Sequence, residues 1–578
     1  METTGAIMRQ PNIIFVLTDD QGYGDLGCTG NPVVKTPAID AFASESIRFT
    51  NYHVGPTCAP TRSGIMTGHY ANSTGVWHTV GGRSLLRGNE TTIADVFAQN
   101  GYRTGLFGKW HLGDNYPYRP QDRGFQETVT HGGGGISQTP DFWGNDYFND
   151  TYLVNGVPEK FEGYCTDVWF REAIRFIDKN RAKPFLCFIT PNAPHTPWNV
   201  DPKYSSPYRG KVSDDRADFY GMITNIDENF ALLRTKLREL DIEDNTILIF
   251  STDNGTACAD KDMYTAGLRG VKGSEYDGGH RVPFFIRWAD GGLVAPRDID
   301  TLVANIDFMP TFMELCGIDS GNYAHLGLHG TSFRTLLTDE HPAWSERVIV
   351  TDSQRLVQPV KWKQSAVMTD RWRLINGSEL YDIIADRGQT NDVAAAHPDV
   401  VAKLRREYDA WWDIVSKQFD DEIPIPVGND DRSVNLTCHD WRTETGHIAY
   451  HQGMIRRGEG STGYFEIDVL REGTYIIELR RWPKEDGHGI TKANTDADYR
   501  KDAIAERWRE YYTGGKALAF RYASLTVCGR TRTAEIPENA SSAVFTVTLP
   551  QGRTHLDARF IASESLVRGA YYVSVIRV

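Results

Sequence analysis

The chain has 578 residues, with 62 Lys and Arg against 76 Asp and Glu and a formal net charge of −14. Hydrophobic residues make up 40% and charged residues 24%, which excludes a disordered or fibrous protein, and the length allows several domains at about 150 residues each. The acidic balance excludes a general nucleic-acid binder, which needs a basic face. It also requires any anionic substrate to be met by a local cluster of cations.

Near the start, Asn12–Leu17 reads as a short apolar strand followed by Thr18-Asp19-Asp20. The run Ile13 to Leu17 is too short for a membrane span or the apolar part of a signal peptide. The expectation is a chain with no membrane span and no visible export signal; a chain trimmed of its leader reads the same, so the compartment stays open between cytoplasmic and exported. Thr36-Pro37 opens a helix with Ile39, Phe42, Ala43 and Ile47 on one face. Thr91 or Thr92 caps a second helix that Gly101 stops, and Tyr102–Phe107 reads as the next strand, running into Lys109-Trp110-His111. Phe185–Thr190 is a strand ending near His195, 215–240 is amphipathic at helical spacing, and Thr246–Phe250 is an apolar strand closed by Asp253-Asn254-Gly255.

Continuous apolar strands alternating with helices predict an α/β fold with a mostly parallel sheet covered on both faces. Asp19/Asp20, Lys109/His111, His195 and Asp253/Asn254 each follow a predicted strand, and ligands of such sheets sit at the strands' carboxyl ends. Any one of these clusters alone reads as a solvated turn; four together point to one site.

From about 355 to 420 short strand-like pieces precede a helix around Val400–Val415, which predicts a small α+β subdomain after an α/β unit spanning 10–354. Pro424, Pro426 and Gly428 mark a linker, and 430–578 reads as an accessory antiparallel β-domain with a helix around Ala503–Tyr511. Eight cysteines, at 28, 58, 165, 187, 258, 316, 438 and 528, show no CxxC pair, no zinc-like spacing and no disulfide framework.

The sharpest motif is Cys58-Ala59-Pro60-Thr61-Arg62 followed by Met66-Thr67-Gly68. Pro60 suits a first helical turn, so residue 58 falls at the positive helix N-terminus, and Arg62 lies one turn on. This block resembles the signature of the formylglycine-dependent sulfatases of the alkaline-phosphatase superfamily. The resemblance extends over about 10–415, through Asn12–Asp20, Gly108–Gly113, Ala193–Pro197, Thr252–Gly255 and Lys272–Pro283.

It implies an alkaline-phosphatase-like fold and an enzyme that removes sulfate from a sulfated carbohydrate, from a chain end. Formylglycine, made from Cys58 by a separate formylglycine-generating or maturase enzyme, would act as a hydrated-aldehyde nucleophile through a covalent sulfo-enzyme. By the same resemblance Asp19, Asp20, Asp253 and Asn254, with residue 58, hold Ca²⁺, with Mg²⁺ the alternative; their hard oxygens suit either ion. Lys109 and Lys272 would bind sulfate, Arg62 would reach residue 58, His111 would take a proton, and His195 would serve the leaving oxygen.

Removing Cys58 by oxidation leaves seven cysteines of the eight, an odd number with at least one free thiol. His131 with its Gly-rich turn, Trp143, His280 and Arg281 are the candidate substrate contacts at the rim. The alternatives are a phosphonate monoester or phosphodiester hydrolase of the same superfamily, and a non-catalytic glycan-binding protein. The sugar, the sulfated position and the oligomeric state stay open.

Overall fold

The computed structural model describes residues 10–352, 354–429, 433–443, 447–495 and 499–578. An eleven-stranded sheet organises the first half. Its strands are β1 (Asn12–Thr18), β2 (Ile47–His53), β3 (Arg103–Gly108), β4 (Glu127–Thr130), β5 (Thr151–Val154), β6 (Val157–Lys160), β7 (Phe185–Thr190), β8 (Thr246–Thr252), β9 (Arg281–Arg287), β10 (Arg297–Ile299) and β11 (Val303–Ala304). The order is β10-β2-β9-β8-β1-β7-β3-β4-β5-β6, with β11 also beside β2.

The five central strands β8, β1, β7, β3 and β4 are mutually parallel. β1, β7 and β8 are buried along their whole length, as continuous apolar strands covered on both faces must be. β9 runs antiparallel to β8: it starts at the strand end that carries Asp253, and a chain that returns without a crossover can only pair that way. The β5–β6 hairpin turns on Asn155-Gly156, both at positive φ (47° and 85°), the backbone that a two-residue turn between twisted strands requires.

Alternation along β1 feeds two apolar layers. Ile14 and Val16 face the helices Cys165–Asn180 and Asp214–Glu239. Ile13, Phe15 and Leu17 face the layer built with Ile65, Phe97 and Phe308. The helix Asp214–Glu239 is capped by Ser213, whose side chain accepts from the Arg216 N–H, and Thr92 forms a capping box with Asp95.

A four-stranded antiparallel sheet follows, from Ile349–Asp352 through Glu379–Asp382. The helix Pro398–Val415 packs on it through Leu404, Tyr408 and Trp411. The C-terminal part is a pair of sheets around one apolar core. Its pairings are antiparallel except that Ile425–Val427 runs parallel to Tyr464–Val469. The helix expected around Ala503–Tyr511 is a 3₁₀ segment over Glu506–Tyr511.

Phe15 sits at the centre of this arrangement, fully buried, with ring centroids 4.6 Å from Phe308 and 5.5 Å from Phe188. Phe15→Ala is expected to destabilise the sulfatase-like half by about 3–5 kcal/mol, read as a shift in its urea unfolding transition.

Candidate active site

The sheet register assembles the site. Thr18 pairs with Thr252, and the Asp253 N–H donates to the Thr18 carbonyl (3.0 Å), so Asp19 and Asp253 leave adjacent strand ends side by side. Gly108 pairs with Thr190 at φ 119°, and a Cβ there would lie 2.1 Å from the Thr190 carbonyl oxygen. Only glycine lets β3 and β7 approach closely enough to place Lys109.

Cys58 is the first residue of the helix Cys58–Thr67, every residue of which is buried. Ligand atoms of Asp19, Cys58 and Asp253 all lie within 4.8 Å of one another.

Each carboxylate has a cation. Lys109 Nζ donates to Asp19 Oδ2 at 2.7 Å with both groups fully buried. Lys272 Nζ lies 2.7 Å from Asp20 Oδ2. Arg62 donates from Nε (3.2 Å) and Nη2 (2.8 Å) to Asp253 Oδ2, and from Nη1 to the Lys109 carbonyl (2.9 Å). Asn254 Nδ2 donates to Asp20 Oδ1 (2.9 Å).

Burial, then the Asp19 charge, pushes the Asp253 carboxyl up to about 7 against Arg62. Burial also works on Asp20, but Lys272, His195 and Lys109 hold it well below the usual carboxylate range. His195 donates from Nδ1 to the Thr196 carbonyl (2.6 Å), which leaves Nε2 3.7 Å from Asp20. Burial pulls its pKa down to about 3, although Asp20 opposes.

The donor set fits a divalent cation. Asp19 Oδ1 and Asn254 Oδ1 are buried acceptors with no hydrogen-bond partner among the described residues, and open buried oxygens are costly unless something satisfies them. Carboxylate and amide oxygens are what Ca²⁺ or Mg²⁺ takes.

Of the rim residues, His131 is brought to the same sheet edge. It is buried at the end of β4, with Nδ1 2.9 Å from the Gly132 carbonyl and Nε2 open. Burial lowers its pKa to about 3, and it feels the charges of Lys109 and Arg62. The other three make contacts within the protein. Trp143 packs edge-on to Trp482 (5.5 Å) under the Arg456 guanidinium, against the C-terminal sandwich. His280 is fully buried between His53 Nδ1 (2.8 Å) and the Glu275 carbonyl (3.0 Å). Arg281 donates to the Thr50 carbonyl (2.7 Å) and faces Asp277.

His53, Asp277 and His280 have the spacing of metal ligands, but Arg373 Nε already occupies Asp277 Oδ1 (2.9 Å) and Nη2 reaches Asn51 (2.8 Å). This is a closed hydrogen-bonded network with a guanidinium at its centre. Arg373→Met is expected to lower stability by about 3–5 kcal/mol, the cost of leaving Asp277 as an unpaired buried charge, measured by thermal unfolding.

Sequence reasoning missed the loop 78–83, and it read the Gly-rich turn after His131 only as part of the rim. His111 Nε2 donates to the Thr79 carbonyl (2.9 Å), and a Cβ at Gly134 would lie 2.3 Å from the His111 ring. The glycine pairs in both segments were the available signal.

An α/β protein with paired acidic residues, lysines and a helix-terminal cysteine at the carboxyl edge of its sheet has the architecture of the alkaline-phosphatase superfamily. A family model described as Sulfatase matches residues 11–318, and one described as N-sulphoglucosamine sulphohydrolase, C-terminal, matches 272–410. The chain belongs to the sulfatase family.

It is 28% identical over 495 residues to an N-acetylgalactosamine-6-O-sulfatase of Bacteroides thetaiotaomicron, covering 69% of this chain and 93% of that one. It is 28% identical over 341 residues to an arylsulfatase of Hemicentrotus pulcherrimus, covering 54% of this chain and 59% of that one. The aligned part thus spans under two thirds of that arylsulfatase. Among solved structures, Ps i-CgsB in complex with k-i-k-neocarrahexaose superposes with a TM-score of 0.63 at 26% identity, covering 72% of this chain and 99% of that chain.

Proposed function

We propose that the protein is a sulfuric ester hydrolase that removes sulfate from a sulfated carbohydrate, acting at a chain end. The observation that carries this reading is the convergence of Cys58 with Asp19 and Asp253 within 4.8 Å, flanked by Lys109, Lys272 and Arg62. A sulfate ester is a small tetrahedral monoanion, and these three cations meet it locally against an overall charge of −14.

Formylglycine derived from Cys58, with Ca²⁺ held by Asp19, Asp20, Asp253 and Asn254, would supply a hydrated-aldehyde nucleophile acidified by the metal. The remaining work falls to this chain's own side chains. Lys109 and Lys272 bind and orient the sulfuryl oxygens, and Arg62 holds Asp253 and the Lys109 backbone in register. His111, protonated at Nε2 by its bond to Thr79, receives a proton at Nδ1. His195 is protonated at Nδ1 and starts as an acceptor at Nε2. It becomes a donor to the leaving oxygen once the sulfate's negative charge lies beside it and raises its pKa.

Cys58, Arg62 and Lys109 are almost wholly buried, a depth that favours a chain terminus over an internal unit. The same burial favours conversion of Cys58 by its maturing enzyme before the helix packs. The relatives support a glycan: one is named an N-acetylgalactosamine-6-O-sulfatase, and one solved structure is in complex with a neocarrahexaose.

Three measurements test this reading. Protein from its native source should weigh about 18 Da less than the encoded chain, the change of thiol to aldehyde, and should hydrolyse aryl sulfate faster than aryl phosphonate. An unconverted Cys58, or the reverse preference, overturns the proposal. Ca²⁺ at about 100 times its Kd should add about 2.7 kcal/mol of stability, seen as a rise in Tm that EGTA reverses; no shift with Ca²⁺ or Mg²⁺ removes the metal from the scheme.

A further inference from the structure

His111 is held by the Thr79 carbonyl and by Gly134. Its backbone is left-handed at φ 63°, and its ring is wedged against Gly134. Because a carbonyl only accepts, the 2.9 Å bond to Thr79 O puts the proton on Nε2. Nδ1 is then a bare acceptor, buried and without a partner among the described residues. Burial and the nearby Lys109 ammonium hold the ring well below the usual histidine pKa, so this one-proton form is the resident one. Which nitrogen is open follows from the bond made by the other.

The Thr79 carbonyl belongs to a turn that the C-terminal sandwich holds. Gly81 and Gly82 are left-handed, at φ 73° and 64°. The Gly81 N–H donates to the carbonyl of His439 (2.7 Å), and Arg442 Nη1 donates to the carbonyl of Gly81 (2.9 Å). Arg442 is itself held by Glu422 (3.1 Å) and by the Ile423 carbonyl (3.3 Å). Glu422 also takes Arg83 Nη2, from the far end of the same turn, at 2.6 Å. The fit is close: a Cβ on Gly82 would lie 2.6 Å from the Arg442 guanidinium carbon, and one on Gly81 would lie 3.1 Å from Ile448. The His439 ring stands 6.1 Å from the His111 ring.

We propose that the C-terminal sandwich is a working part of the active site. Arg442, with the His439 carbonyl, positions the Gly81 turn so that Thr79 keeps the His111 proton on Nε2 and leaves Nδ1 open. Arg442 is a positioning residue. Its effect on turnover rests on the sulfatase reading; its effect on the histidine does not.

The test uses the full chain labelled with ¹⁵N-histidine, with the His111 resonances assigned through His111→Gln. Wild type should show His111 as a single Nε2–H tautomer. Arg442→Ala should broaden or mix that signal, and Arg442→Lys, which keeps a donor, should retain it. Gly82→Ala, which presses on the Arg442 guanidinium without removing it, should act like Arg442→Ala and covers the case in which that variant does not fold. On 4-nitrophenyl sulfate, Arg442→Ala should lose at least tenfold in kcat with KM within twofold, and Arg442→Lys should recover much of it. An unchanged His111 tautomer in folded Arg442→Ala and Gly82→Ala overturns the proposal, as does an unchanged kcat. If wild type cleaves no sulfate ester while the tautomer still responds to Arg442, the positioning stands and the sulfatase reading falls.

Discussion

Three carboxylates buried at one edge of a sheet are the constraint around which the rest is arranged. Asp19, Asp20 and Asp253 are all essentially inaccessible, and isolated buried carboxylates are too costly to keep ionised. The fold answers with Lys109, Lys272 and Arg62, each drawn from a distant part of the chain and each within hydrogen-bond reach of one acid. The pairing is incomplete: Asp19 and Asn254 each keep an oxygen without a hydrogen-bond partner among the described residues. A closed network would be a structural salt bridge; this one keeps open oxygens beside a helix-terminal cysteine, a donor set that a divalent cation could take.

The contrast within the same molecule is instructive. His53, Asp277, His280 and Arg373 form a second fully buried polar group, and by residue type alone it looks at least as chemical as the first. Its ring nitrogens and the Arg373 fork are spent on one another, on Asn51 and on Glu275. Satisfied buried networks give rigidity and a unique packing. Here the network ties the end of β2 and the start of β9 to the small antiparallel sheet, through Arg373 in the strand Trp372–Ile375.

The C-terminal sandwich has its own apolar core, yet Leu85 and Tyr118 of the sulfatase half belong to that core. Trp143 and Trp482 pack across the same boundary, and Arg442 reaches into the loop 78–83. Contacts of this kind remove the freedom that a merely tethered domain would have. They link the loop against His111 to residues more than three hundred positions away.

Much of this was legible in the chain. The strands around Ile13, Phe188 and Ile249 declare themselves by unbroken apolar runs, and the helix from Cys58 by Pro60 in its first turn, because local periodicity and backbone preference operate over a few residues. Asp19, Asp20, Lys109 and Asp253 were also legible, since each stands just past a strand and strand ends must share one edge; Arg62, inside the helix from Cys58, and Lys272, in a turn, came only from the family resemblance. The partners of the rim residues were not legible. His280 and Arg281 look like ligand groups in the sequence, but whether a polar side chain is open or already spent depends on what packs across from it.

The sequence alone determined where the main strands run, where the helix bearing Cys58 begins and which polar clusters follow a strand. Only the tertiary structure decided which of those residues keep an unpartnered atom, which tautomer His111 holds and that Arg442 stands behind it. Hydrogen-bond satisfaction is a property of three-dimensional neighbours, and no spacing along the chain encodes it.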